Sequence, residues 1–151
     1  MSLIKVPSKI LKVLLKGDNL MLPKSLEDEV VMITGAARGI GKAVAIRVAS
    51  LGADVVAVDL HRSDMDSVVK EVESLGRNCI AKEADVSNWD SIKELVSEVI
   101  SEFKKIDVLV NNAAILGSVK TLLNTSEEEW DRTIDVNLKS LFNLFISIFS
   151  I

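Results

Sequence analysis

Residues 34–41 read Thr-Gly-Ala-Ala-Arg-Gly-Ile-Gly, and this octet limits the chain's architecture more than any other stretch. An apolar run, Glu-Val-Val-Met-Ile-Thr at 29–34, precedes it. A helical stripe follows, with Ile40, Val44, Val48 and Leu51 at spacings of 4, 4 and 3. A glycine-rich turn between a buried strand and a helix places unpaired backbone N–H groups at the positive end of the helix dipole. That is a ready site for a phosphate anion. Gly35 permits the tight turn, Gly39 lets the backbone approach a pyrophosphate, and Gly41 lets the helix pack closely.

The rest of the chain repeats this alternation. Strands are expected at 54–59, 78–82 and 106–110, and helices at 39–51, 65–75, 87–103 and from 126 to the C-terminus. Gly52 and Gly76 stop the first two helices. Ser87-x-x-Asp90 and Ser126-x-x-Glu129 read as caps for the last two. Met65, Val68, Val69, Val72 and Leu75 line one face of the second helix. Ile92, Leu95, Val96, Val99, Ile100 and Phe103 line the third. The strands are apolar runs rather than alternating ones, as strands covered on both faces are. The expected fold is therefore α/β: a Rossmann-type parallel sheet with helices on both faces, ending after about four strands in the order 3-2-1-4.

Ligands of such sheets bind at the carboxyl ends of the strands. After the second strand comes Asp59, 24 residues past Gly35, followed by Leu60. A carboxylate there accepts from ribose hydroxyls and repels a 2′-phosphate, which favours NAD over NADP. Arg38, His61 and Arg62 are bases that would stabilise a 2′-phosphate, so NADP stays possible; Arg38 and Arg62 are equally consistent with solvated surface charges. His61, the single histidine, has no partner pattern for a metal or for catalysis, and no metal site is expected. After the third strand, Asp85 can accept from an adenine amino group while Val86 packs on the ring, or the pair is a plain turn into the Ser87 cap. After the fourth, Asn111-Asn112-Ala113-Ala114 offers two amides and a backbone that passes close to a ligand, or a polar turn.

In the last helix, Trp130, Ile134, Asn137, Leu141, Phe145 and Ile148 fall within about 80° of one another at 3.6 residues per turn. Asn137 is then an amide on an apolar stripe. It should have a partner, because burying it unpaired costs about 1–3 kcal/mol; a structural hydrogen bond in the core is one reading.

These motifs resemble the short-chain dehydrogenase/reductase family. The matching segments are 34–41, Asp59, Asp85-Val86, Asn-Asn-Ala-Ala at 111–114 (where the family usually ends in Gly), and Asp135-Val136-Asn137-Leu138. The resemblance covers about residues 26–146. It implies hydride transfer between a nicotinamide cofactor and a small alcohol or carbonyl substrate. It also implies cofactor contacts from Thr34, Gly35, Arg38, Gly39, Ile40, Gly41, Asp59, Leu60, Asp85, Val86, Asn111, Asn112 and Ala113. Asn137 matches the family's catalytic asparagine, which helps hold a water in a proton relay; that water and the nearby backbone are a second candidate partner for it. The family's catalytic serine and its Tyr-x-x-x-Lys follow on the next strand and helix, and neither occurs here. There is no tyrosine in the 151 residues, and Lys139 is the only lysine after Asn137. The expectation is a C-terminally shortened oxidoreductase, inactive alone. A non-catalytic NAD-binding or interaction module and one half of a split enzyme are the alternatives.

Nine of the last fourteen residues are apolar. A helix of that composition needs cover on several sides, so self-association through it is expected. A net charge of −4 argues against a nucleic-acid partner. No apolar stretch is long enough to span a membrane. A single cysteine, Cys79, excludes an internal disulfide and fits a reducing, cytoplasmic setting. Residues 1–20 carry four lysines and one acid, and read as a basic appendage, as a short membrane-surface helix, or as a mis-assigned start with Met21 as the first residue. Residues 21–151 are the partial dinucleotide-binding domain.

Overall fold

A computed structural model describes residues 25–117 and 119–150. The basic stretch at 1–20 and the choice between Met1 and Met21 lie outside the described residues. Four strands, β1 (Val30–Thr34), β2 (Asp54–Asp59), β3 (Cys79–Glu83) and β4 (Val108–Val110), form one parallel sheet in the order β3-β2-β1-β4. Helix α1 (Gly39–Ser50) joins β1 to β2, α2 (Asp66–Ser74) joins β2 to β3, and α3 (Trp89–Phe103) joins β3 to β4. After β4 come α4 (Glu127–Ile134) and α5 (Ser140–Phe149), separated by a π-helical turn, Asp135–Lys139.

The apolar runs become strands because both faces of the sheet are covered. Successive side chains of a strand point to opposite faces, so each run feeds two cores. Val31, Ile33, Val55 and Ala57 pack with Ala45, Ala49, Val68 and Val72 of α1 and α2. Met32, Val56 and Val58 pack with Ile92, Leu95, Val96 and Val99 of α3 and with Leu144 of α5. Among the described residues, no helix is long and apolar enough to cross a membrane.

Local details depart from the sequence expectations. The centre of α1's inner face is Gly41, Ala45 and Ala49, flanked by the half-buried Val44 and Val48, while Ile40 is exposed. Small residues there allow a close approach to the sheet. The cap of α3 is Asn88, whose side chain accepts from the Ser91 amide at 3.0 Å, and not Ser87. Ser87 donates its amide and hydroxyl to Asp85 Oδ1, at 2.9 and 2.7 Å, so the upstream acid has captured it. The second helix opens with a 3-10 turn, Arg62–Met65, and Leu75 falls beyond its end, exposed. β3 is displaced by one residue from 78–82. β4 is shorter than 106–110 suggests, since Asp107 directs its carboxylate to the Val30 amide at 2.8 Å.

The capping box at Ser126 and Glu129 is formed as expected. The helix it starts is not uniform, however. The π turn widens the coil by one residue and changes which side faces inward. The buried position within it is Val136, and those after it are Ser140, Asn143 and Leu144. Trp130, Leu141 and Phe145 of the expected stripe are exposed, with Phe145 at 55%.

Candidate cofactor site

Thr34, the last residue of β1, organises the carboxyl end of the sheet. Its side chain is buried, and its Oγ1 accepts from the amides of Asn112 and Ala113, each at 3.1 Å, while donating weakly to the Val110 carbonyl at 3.4 Å. The Asn112 carboxamide donates back to the carbonyls of Thr34 and Gly35, each at 3.0 Å. The loops after β1 and β4 are thus stitched together by the two side chains that the octet and the Asn-Asn-Ala-Ala segment supply.

The glycines fit this arrangement for distinct reasons. Gly35 has φ of +65°, and a Cβ on it would lie 2.9 Å from both the Ala113 Cα and the Asn112 side chain. A Cβ on Gly41 would lie 2.1 Å from the Gly35 carbonyl oxygen, so α1 touches the turn backbone itself. Gly39, with φ of +57°, faces open space. Arg38, extended at the cap position, places no side-chain bond on the start of α1. The first N–H groups of that helix are left without a side-chain cap, the state in which a helix N-terminus can receive an anion.

Asp59 at the end of β2 ties the glycine loop to its neighbour. Its Oδ2 accepts from the Ala37 amide and its Oδ1 from the Leu60 amide, both at 2.9 Å. A carboxylate has about four acceptor positions, so capacity remains for a ligand's hydroxyls. Asp85 has one oxygen committed to Ser87, and its amide donates to the Ser91 hydroxyl at 3.1 Å. It is both the turn into α3 and a carboxylate on the cleft wall.

These ends enclose a cleft of about 250 Å³. Gly35, Arg38, Asp59, Leu60, Asp85, Val86, Asn112 and Ala113 all line it. Thr34 and Gly41 lie beneath it as packing and hydrogen-bonding elements. Gly39, Ile40 and Asn111 are not among its lining residues. Asn137 is not either, and it is exposed rather than buried. Its carboxamide nevertheless has the partner that the sequence called for: Oδ1 accepts from the Ile115 amide at 2.8 Å and Nδ2 donates to the Ile115 carbonyl at 2.9 Å. Ile115 lines the cleft, so Asn137, within the π turn, holds the loop after β4 in place. Ala114, which the sequence offered with Ala113, lines it as well; Val58, Ala84, Ile115, Arg132 and Val136 complete the wall and were not read from the sequence as site residues. The spacing of Arg132 and Val136, one helical turn apart, was the available signal.

Burial, reinforced by the nearby Glu73 carboxylate, pushes the Cys79 thiol up to about 12.

The family model described as short chain dehydrogenase matches residues 29–150. A 3-oxoacyl-(acyl-carrier-protein) reductase FabG of Thermotoga maritima is 45% identical over 119 residues, which are 79% of this chain and 48% of the reductase. A 3beta-hydroxysteroid dehydrogenase of Mediterraneibacter gnavus is 41% identical over 116 residues, 77% of this chain and 42% of that protein. The chain spans about half the length of the curated relatives it matches. Among solved structures, a metagenomic short-chain oxidoreductase in complex with NADP superposes with a TM-score of 0.80 at 34% identity, covering 83% of this chain and 57% of that one. An NAD+-bound xylitol dehydrogenase gives 0.78 at 25% identity, covering 82% and 48%.

Proposed function

Because the chain belongs to the short-chain dehydrogenase/reductase family, we propose that its cleft holds the adenosine and pyrophosphate portion of a nicotinamide dinucleotide, NAD ahead of NADP. The observation that carries this reading is Asp59: it sits at the end of β2, in the cleft, braced by two backbone amides and with acceptor capacity to spare. Two ribose hydroxyls complement such a carboxylate, whereas a 2′-phosphate meets like charge. Gly35, Gly39, Ile40, Gly41 and Arg38 offer the loop and helix start to the pyrophosphate. Asp85, Val86 and Leu60 offer an acceptor and apolar wall to the base. Asn111, Asn112 and Ala113 continue the wall toward the rest of the cofactor, with Asn112 and Thr34 fixing the loops.

The bound cofactor supplies a hydride donor or acceptor for an alcohol or carbonyl substrate. The residues of this chain bind and orient it. Moving a proton at the substrate oxygen is a different task, usually given to a group of tuned pKa, and the 151 residues include no tyrosine. The Asn137 carboxamide is already engaged by Ile115, so in this chain it orders the loop. We place the chain as the cofactor-binding part of an oxidoreductase, inactive alone, acting in a reducing cytoplasm. In this reading proton transfer and substrate choice fall to groups other than those of this cleft. The exposed apolar side of α5, with Leu141, Phe142, Phe145 and Phe149, continued by Leu138 of the π turn, supports self-association through that helix.

Isothermal calorimetry with NAD and NADP tests the reading. NAD should bind and NADP more weakly. Asp59→Asn, which keeps one oxygen for the loop amides, should weaken NAD and narrow the gap. Absence of measurable binding to either dinucleotide would overturn the proposal.

A further inference from the structure

We infer that Arg132 is a cofactor-binding residue that lies over the adenine base, a role resting on the dinucleotide reading above. Val86 and Val136 belong to one apolar cluster with Ala84, so the wall where β3 ends and the π turn begins is continuous. All three line the cleft, and so does Arg132. Arg132 is one helical turn before Val136 and projects from the same side of the helix. Its side chain therefore borders the cleft beside the apolar wall that Val86 and Val136 form.

The guanidinium has no competing engagement. It takes part in no ion pair or side-chain hydrogen bond among the described residues. Of the acids one turn earlier, Glu129 pairs with Lys120 at 2.7 Å, and Glu128 forms no ion pair with Arg132. A planar cation beside an apolar wall suits a flat aromatic base, since guanidinium planes stack on such rings. Asp85 then meets the base edge, Val86 and Val136 pack against the ring, and the Arg132 guanidinium beside them stacks on its face.

The test compares Arg132→Ala and Arg132→Lys with the unsubstituted 151-residue chain by calorimetry, using AMP and inorganic pyrophosphate as probes. A stacked guanidinium predicts about tenfold weaker AMP binding for Arg132→Ala, the loss typical of removing one base-stacking side chain. Arg132→Lys should recover little, because the charge returns without the plane, and pyrophosphate affinity should be unchanged. Thermal unfolding should be unchanged too, since Arg132 is exposed. Equal AMP affinity for all three proteins would overturn the inference. So would full rescue by lysine with parallel loss of pyrophosphate binding, which would make Arg132 a phosphate contact. An unsubstituted chain that binds neither AMP nor NAD would overturn the dinucleotide reading itself, a result distinct from both.

Discussion

Replacing Thr34 by valine removes one oxygen and almost no volume, which makes it a sharp probe of how the cleft is built. Valine keeps the β-branch that suits a central strand and leaves no cavity, so the transfer and void costs of a core truncation are absent. What is lost is the shared acceptor of the Asn112 and Ala113 amides, each 3.1 Å from Oγ1. A buried donor left unmatched costs about 1–3 kcal/mol. Both donors are only partly buried, so water recovers some of this and about 2–4 kcal/mol is expected for the pair. That is a large share of the roughly 5–15 kcal/mol that stabilises a domain. Urea unfolding should show a lower midpoint at unchanged m. Thr34→Ser supplies the control: it retains Oγ and loses one buried methyl, about 1 kcal/mol. The expected order is threonine, then serine, then valine, and NAD affinity should fall for valine along with the loop geometry. A valine variant within about 0.5 kcal/mol of the parent, or a serine variant as damaged as the valine one, would refute the idea that Oγ1 holds the two loops together.

Two further outcomes are expected. Burial pushes the Asp107 carboxyl up, but its hydrogen bonds to Lys105 and the Val30 amide outweigh this and hold it below its ordinary value of 3.8. A depressed folded-state value means that Asp107 contributes stability above the ordinary carboxylate range and loses it as the pH falls through the folded-state value. Asp107→Asn should therefore be less stable than the parent at pH 7, and the difference should shrink on acidification; a constant difference in urea midpoint across that range would argue against an ionic contribution. Phe142 and Phe145 stand on the exposed side of α5, so Phe142→Asp combined with Phe145→Asp should shift sedimentation toward monomer without lowering NAD affinity, and an unaltered association state would show that another surface is responsible.

Periodicity in the sequence was enough to determine the α/β class, a parallel sheet and the helix boundaries to within a few residues, while the strand order 3-2-1-4 was an expectation that the pairing of β1 with both β2 and β4 bears out. The reason is that a run such as Val-Val-Met-Ile must be covered on both faces, while a stripe at 3.6-residue spacing must be covered on one. The strand ends were legible for the same reason, and with them most of the cleft: Gly35, Asp59, Asp85 and Asn112 are local consequences of where a strand stops. Three things depended on the assembled structure. Which side chain caps α3 was settled by competition, because Asp85 takes Ser87 and leaves Asn88 to cap. The inward side of the last helix was set by the π turn, since one extra residue per turn rotates every later side chain and moves Phe145 from the expected core to the surface. The hydrogen-bond partner of Asn137 was decided by a residue 22 positions away, Ile115, whose backbone reaches it only once β4 is paired with β1. The glycine octet predicted a turn able to receive a pyrophosphate. Its close contact with the loop after β4, through Thr34 and Asn112, exists only in the folded sheet, because the contacting residues are nearly 80 positions apart and the pairing of β1 with β4 brings them together.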